Sequence, residues 1–308
     1  MAAQAELDPT RFRVRSSAAR GFPLAFVDEG TGPTLLLVHG WPETKRIWWR
    51  NIAPLADAGF RVIAPDLRGF GESGVAPDGF EDVPSHSRDL AALLDDVGVE
   101  TCVPVGGDLG GAIIQDFACR HPERVARMVI FNSPLPYMRD KMSGLRTRPA
   151  LEASDYFVRQ GSDANALAGE LDSAEKRRRY IATFYGSRFW AHPGAFTREA
   201  VDFMTEPFAD AAKLRAGFGN YEASFDAAKR SEPALLGENS THTLILFGPS
   251  DHVIYPDFDR MAAQVFPDHV GPFLVRDSGH FLQWEAAGVL NSAISAFCRD
   301  LRRSTSPA

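Results

Sequence analysis

Cysteine is scarce: three in 308 residues, at Cys102, Cys119 and Cys298. They lie far apart within apolar segments, without the close spacing of a zinc or redox motif. They read as reduced core residues, and the chain as cytoplasmic. Positive charge is in deficit too. Lys and Arg number 33 against 40 Asp and Glu, a formal net charge of -7. That removes the electrostatic reason to expect nucleic acid as a partner. No apolar run approaches the ~18 residues needed to cross a bilayer, so no membrane partner is expected. Met1 to Pro9 lacks an apolar stretch, so no secretion signal is expected there. Internal repeats and low-complexity tracts are missing as well. What remains is an ordinary globular composition, 44% hydrophobic and 24% charged. The length admits one large or two intimately joined domains at ~150 residues each.

The remaining pattern alternates strands with helices. Arg11 to Asp28 reads as an antiparallel pair about Ala19-Arg20-Gly21. Thr34 to Val38, Arg61 to Pro65, Cys102 to Val105, Arg127 to Phe131, Thr243 to Phe247 and Phe273 to Arg276 read as further strands. The continuous aliphatic run Thr34 to Val38 has the pattern of a strand buried on both faces. Ser85 to Val97 and Leu290 to Leu301 read as helices, and the tail Arg302 to Ala308 as frayed. This succession predicts a mainly parallel sheet with right-handed crossovers. Leu135 to about Ser240 interrupts it with helical character over Ala164 to Tyr185 and Thr197 to Ala216, and shows no buried-strand run. An all-helical insertion of this kind reads as a lid over the carboxyl ends of the strands, where ligands bind in such sheets.

The chemistry centres on Gly106-Gly107-Asp108-Leu109-Gly110-Gly111. An apolar strand runs into it and a helical pattern runs out. Strand, glycine-flanked residue and helix form the sequence shape of a nucleophile elbow, whose central side chain is raised clear of a tight, strained turn. Ser is the usual central residue. Asp108 stands here, and a carboxylate is a nucleophile without first losing a proton to a base. Taken singly, an Asp beside glycines is more often a turn or helix cap. Two later strand ends change that reading. Phe247-Gly248-Pro249-Ser250-Asp251-His252 follows one, and Asp277-Ser278-Gly279-His280-Phe281 follows another. Nucleophile, acid and histidine thus occur in the chain order of an α/β-hydrolase. His280 can serve as general base if Asp251 holds its other ring nitrogen. The loop His39-Gly40-Trp41-Pro42 would supply one backbone N–H of an oxyanion hole from Trp41, and Leu109 the other.

With these motifs, together with Asp66-Leu67-Arg68-Gly69-Phe70-Gly71-Glu72-Ser73 and Gly279-His280-Phe281-Leu282-Gln283-Trp284-Glu285, the sequence resembles the epoxide hydrolase and haloalkane dehalogenase branch of the α/β-hydrolases. The resemblance covers roughly residues 20 to 134 and 240 to 302. It implies an eight-stranded, mostly parallel sheet flanked by helices, with a core of 1–134 and 240–308 and a helical cap of 135–239. It also implies a hydrolase acting on ether bonds, with a small-molecule epoxide and water as partners and no metal or cofactor. A homodimer is compatible with the sequence, although no feature argues for it.

Within the branch, smaller features separate the activities. Haloalkane dehalogenases place Trp after the nucleophile to hold the halide, and fluoroacetate dehalogenases place Arg there. Leu109 offers neither group. Epoxide hydrolases use two lid tyrosines to hold the ring oxygen and protonate it. The stretch Arg215-Ala216-Gly217-Phe218-Gly219-Asn220-Tyr221 resembles the segment that carries the second, which assigns Tyr221. The first falls to Tyr156, ahead of a loop at Gly161-Ser162-Asp163, with Tyr185 in reserve. Trp41 and Tyr185 are further expected against the substrate. The alternatives are a haloalkane dehalogenase with the same Asp108, Asp251 and His280, or a non-catalytic receptor on this fold.

Overall fold

The computed structural model describes residues 6–149 and 151–303. Its strands are β1 (Val14–Ser17), β2 (Leu24–Gly30), β3 (Thr34–Val38), β4 (Arg61–Pro65), β5 (Cys102–Gly106), β6 (Met128–Phe131), β7 (Thr243–Phe247) and β8 (His269–Leu274). They form one sheet in the order β1-β2-β4-β3-β5-β6-β7-β8. β2 pairs antiparallel with both β1 and β4, and every other pairing is parallel. Every residue of β3, β5, β6 and β7 is buried. That burial accounts for their unbroken aliphatic runs, because helices cover both faces of a parallel sheet. The shared direction gathers the carboxyl ends of β3 to β8 along one edge.

The last strand departs from the sequence expectation. It runs His269–Leu274, rather than Phe273 to Arg276, and meets β7 with a register shift between Leu244 and Leu246. β8 is an edge strand, where a proline such as Pro272 is tolerated. Phe273 and Leu274 are exposed, so β8 lacks the buried run by which the other strands announce themselves. The tail expectation falls partly outside the described residues, which stop short of 304–308. Arg302, expected to fray, is instead tied through its guanidinium to the carbonyls of Ala58 and Ser295.

Among the described residues, no strand lies between β6 and β7. The helical stretches expected there are broken more often than their periodicity implies. Ala164–Glu170 and Ala174–Tyr185 are separate helices, the second started by the Ser173 side chain accepting from Lys176 N. Thr197 to Ala216 divides into Arg198–Thr205, a 3-10 turn at Glu206–Ala209 containing Pro207, and Ala211–Gly217 capped by Asp210. Proline cannot continue a helix, and Asp caps one well. Conversely, Gly161 is not in a loop but inside helix Leu151–Ser162. A Cβ there would lie 2.9 Å from the Tyr221 carbonyl and would strike the Phe225 ring. Glycine therefore lets this helix close on Gly219–Phe225, which brings Tyr156 and Tyr221 together. Their ring centroids are 5.6 Å apart.

Candidate active site

β5 ends at Gly106, and the helix Asp108–Arg120 begins two residues later. Asp108 takes up the turn with φ 47, a left-handed conformation rare outside glycine. A Cβ on Gly110 would lie 2.7 Å from the His39 carbonyl and closer still to that of Val38. Only glycine lets the elbow helix approach β3 so closely. One carboxylate oxygen of Asp108, Oδ1, accepts a 2.7 Å hydrogen bond from Trp41 N. The backbone N–H of Leu109 lies in the first turn of the elbow helix, where such groups have no intrahelical acceptor. Of the two donors expected for an oxyanion hole, Trp41 N thus bonds the Asp108 carboxylate, and Leu109 N follows Asp108 in the chain.

The other two late residues converge on it. His280 Nδ1 lies 2.9 Å from Asp251 Oδ2, and Nε2 lies 3.2 Å from Asp108 Oδ2. The second contact has ion-pair distance without hydrogen-bond alignment, and Nε2 has no other protein partner. All three side chains are at least nine-tenths buried. Burial alone would lower the His280 pKa, but the charge of Asp251, its hydrogen bond to Nδ1 and the nearby Asp108 carboxylate outweigh it and hold the imidazole well above its ordinary value. Asp251 is itself anchored: its Oδ1 accepts from Val253 N at 2.7 Å and Ile254 N at 3.2 Å. Glu285 fixes the histidine loop by accepting from the backbone N–H groups of Gly279 and Phe281, on either side of His280.

Two groups at the centre escaped sequence reasoning. Asn132, immediately after β6, is fully buried with φ 40. Its Nδ2 donates to Asp251 Oδ2 at 2.8 Å and to the Gly279 carbonyl at 3.0 Å, while its Oδ1 accepts from Gly248 N at 2.9 Å. Its own carbonyl accepts from Asp108 N at 2.8 Å. One residue thus ties together the segments that carry Asp108, Asp251 and His280. Its only signal in the sequence is that it is polar and ends a strand. Glu43 is the second. Buried beside the loop at Gly40 and Trp41, it accepts from Gly40 N at 2.6 Å and from Gln283 Nε2 at 2.7 Å. Burial, then the nearby Asp108 charge, raises its pKa to about 7.

A cavity of about 490 Å³ opens onto Asp108. Tyr156 and Tyr221 stand in its wall, with Leu109, Val253 and Ile254 among their neighbours. Among the described residues lining it, none is Lys, Arg or His. Burial first, then neighbouring charge including that of Asp108, holds both phenols well above their ordinary pKa. Trp41 and Tyr185, expected against a substrate, are not in this wall. The Trp41 indole stacks behind Tyr156 at 5.4 Å with the planes 3° apart. Tyr185 stacks on Phe281, and its hydroxyl donates to the Pro42 carbonyl at 2.6 Å. Tyr185 thus braces the loop at Pro42, and the Trp41 ring packs among Tyr156, Phe184 and Tyr221 of the helical insertion.

Residues 33–287 match the family model of the alpha/beta hydrolase fold. The chain belongs to the α/β-hydrolase fold family. Epoxide hydrolase A of Mycobacterium tuberculosis is 29% identical over 311 residues, covering 91% of this chain and 95% of that protein. Bifunctional epoxide hydrolase 2 of Sus scrofa is 27% identical over 88% of this α/β-hydrolase, which spans only 52% of that longer relative. Among solved structures, the epoxide hydrolase CorEH without ligand superposes with a TM-score of 0.81 over 94% of this chain and all of that one. At 20% identity that likeness concerns the fold. A structure titled as novel epoxide hydrolases in metagenomes from hot environments gives 0.75 at 26% identity, over 93% of this chain and 98% of that one. Among the described residues, no helix is long and apolar enough to cross a membrane.

Proposed function

We propose that the protein is an epoxide hydrolase that converts an apolar epoxide to a vicinal diol through an ester on Asp108. The observation that carries this reading is a carboxylate at the elbow, 3.2 Å from an imidazole, facing two neutral phenols across an apolar cavity. In this reading residues 135–239 act as the cap and the remainder as the catalytic core.

The epoxide oxygen accepts hydrogen bonds from Tyr156 and Tyr221. A carboxylate oxygen of Asp108 attacks a ring carbon, the carbon–oxygen bond breaks, and the alkoxide takes a proton from a phenol. Ester formation removes the negative charge of Asp108. The phenolate then regains a proton from the His280 imidazolium, whose raised pKa depended in part on that charge. Neutral His280, held by Asp251, next takes a proton from water as the water attacks the ester carbonyl carbon. The developing oxyanion is held by the N–H groups of Trp41 and Leu109, worth about 3 kcal/mol per donor. Collapse expels the diol oxygen, which takes the proton left on the new carboxyl group. Asp108 is again a carboxylate and His280 an imidazolium, so one water is consumed for each diol.

The reading is tested by incubating variants with styrene oxide. Asp108→Ala is expected to form no diol, and His280→Phe to accumulate protein heavier by the mass of the substrate. Undiminished diol formation by Asp108→Ala would overturn it. So would halide release from bromoalkanes far exceeding diol formation from any epoxide, because that identifies a dehalogenase.

A further inference from the structure

One loop of the helical insertion, between the helices Ala174–Tyr185 and Arg198–Thr205, is bonded to the segments that carry Asp251 and His280. The Phe189 carbonyl accepts from His252 N at 2.9 Å, next to Asp251, and the Trp190 carbonyl accepts from His280 N at 2.7 Å. His192 N donates at 2.8 Å to Glu285 Oε2, the oxygen that also accepts from Gly279 N. A Cβ on Gly279 would lie 3.0 Å from His192 N and closer still to the Trp190 carbonyl, so only glycine lets the two loops come this near. These bonds fix the backbone at Trp190. Its buried indole packs against two rings at once. It meets the His280 imidazole edge-to-face, with centroids 4.7 Å apart and planes at 75°. It meets the Tyr156 phenol at 5.1 Å and 59°. Phe184 packs on the same indole at 4.9 Å. Trp190 is not in the cavity wall, so any effect it has on the chemistry passes through the rings it touches.

Aromatic pairs prefer edge-to-face and offset arrangements, and in a close-packed interior each ring restrains its neighbours. We propose that Trp190 is a positioning residue for the reaction, holding the His280 imidazole and the Tyr156 phenol in fixed relation, so that one buried ring supports both ring opening and ester release. This rests on the epoxide hydrolase reading, in which Tyr156 protonates the alkoxide and His280 takes a proton from water. The bonds to His252, His280 and Glu285 are made by the main chain of this loop, so a substitution at Trp190 leaves them in place. What it removes is the ring. The imidazole then keeps its Asp251 partner at Nδ1 but loses the surface that limits its swing. The phenol keeps the Trp41 stack but loses its contact on the histidine side. Slower chemistry, rather than its abolition, is therefore expected.

The test follows single turnovers of styrene oxide by rapid quenching, with the ester read as added protein mass and its release as the decay of that mass. Rate constants are compared, not amplitudes, so a partly folded preparation does not move them. Trp190→Leu is expected to slow ester formation and ester release about tenfold each, within the cost of a small misplacement of reacting groups. Trp190→Phe, which keeps an aromatic face, is expected to recover most of both. In a Tyr156→Phe background, Trp190→Leu should add little to the slowing of ester formation, because the hydroxyl it positioned is gone, while release slows as before. A merely structural role would lower the yield of folded protein and leave the rate constants normal. The proposal alone is overturned if Trp190→Leu leaves both rate constants within about twofold, or if its effect on ester formation persists in full without the Tyr156 hydroxyl. It is also overturned if Trp190→Phe is no faster than Trp190→Leu in either step. Should Trp190→Leu give no folded protein, Trp190→Met is judged by the same criteria. If no epoxide yields diol with the unaltered enzyme, the functional reading fails and takes this role with it.

Discussion

Replacing Asn132 by Gly separates what its side chain does from what its backbone does. The amide makes bonds at 2.8 Å to Asp251 Oδ2, 3.0 Å to the Gly279 carbonyl and 2.9 Å from Gly248 N, with a longer 3.3 Å contact to the Gly248 carbonyl. Glycine accepts φ 40 without strain, so the backbone path survives. A neutral hydrogen bond contributes ~1 kcal/mol net and a bond to a charged group ~1.5–3 kcal/mol. Two good neutral bonds and one charged one give a loss of about 4 kcal/mol, to which the flexibility of glycine in the unfolded chain adds ~0.5–1 kcal/mol. Asn132→Ala loses the same bonds and adds ~1 kcal/mol of left-handed strain. Urea unfolding of both variants, with the midpoint shift scaled by the slope, measures these losses. The same variants are expected to slow release of the Asp108 ester at least tenfold, because Asp251 loses a donor and His280 its fixed partner. A loss under ~1 kcal/mol in both variants, with turnover unchanged, would refute the idea that Asn132 joins the three loops.

Other consequences are equally specific. Tyr156→Phe and Tyr221→Phe are each expected to slow ester formation ~100-fold, the scale of a lost general acid. Ester hydrolysis should be spared, which stopped-flow single turnovers would resolve. In Asp108→Asn the His280 pKa is expected to fall, since a nearby negative charge that raises it is removed while Asp251 remains; NMR titration of the ring would show it. The linked effect on stability follows in sign. A raised folded pKa means that protonated His280 favours folding. That contribution is complete below the ordinary histidine value and is lost as pH rises through the folded value. The fall in unfolding midpoint on the alkaline side should therefore shift to lower pH in Asp108→Asn. Gly110→Ala is expected to yield little folded protein, because its Cβ has no room against the Val38 and His39 carbonyls. A normal melting curve for that variant would contradict the packing described for the elbow.

Much of this site was legible because its chemistry sits at strand ends in a fixed order. The glycines about Asp108 record a steric demand, and Asp251 follows the buried aliphatic run of β7, while His280 sits in a polar, glycine-containing stretch beyond the edge strand β8. What stayed hidden is what depends on pairs distant in sequence. Asn132 has no periodic or spacing signal, and its importance lies in touching loops that begin at 108, 248 and 279. Glu43 and Gln283 are 240 residues apart and meet only across the folded oxyanion loop. Tyr185 and Trp41 carry the aromatic character of a binding wall, yet packing turned them to its back. Gly161 has the look of a break because glycine usually is one, whereas here it lets the helices Leu151–Ser162 and Gly219–Phe225 touch. The bounds of β8 are not legible in the sequence, because its outer residues are exposed and the buried pattern that marks a central strand is missing.

The central claim is that Asp108 becomes covalently bonded to substrate carbon. It is tested most directly by a single turnover in water enriched in oxygen-18, with enzyme in excess over styrene oxide. Water attacks the ester carbonyl in this account, so the heavy oxygen is predicted in the carboxylate of the peptide containing Asp108, and the first diol formed is predicted to carry none. Heavy oxygen in that first diol, with an unlabelled Asp108 peptide, would mean that water attacks the epoxide directly and would contradict the account.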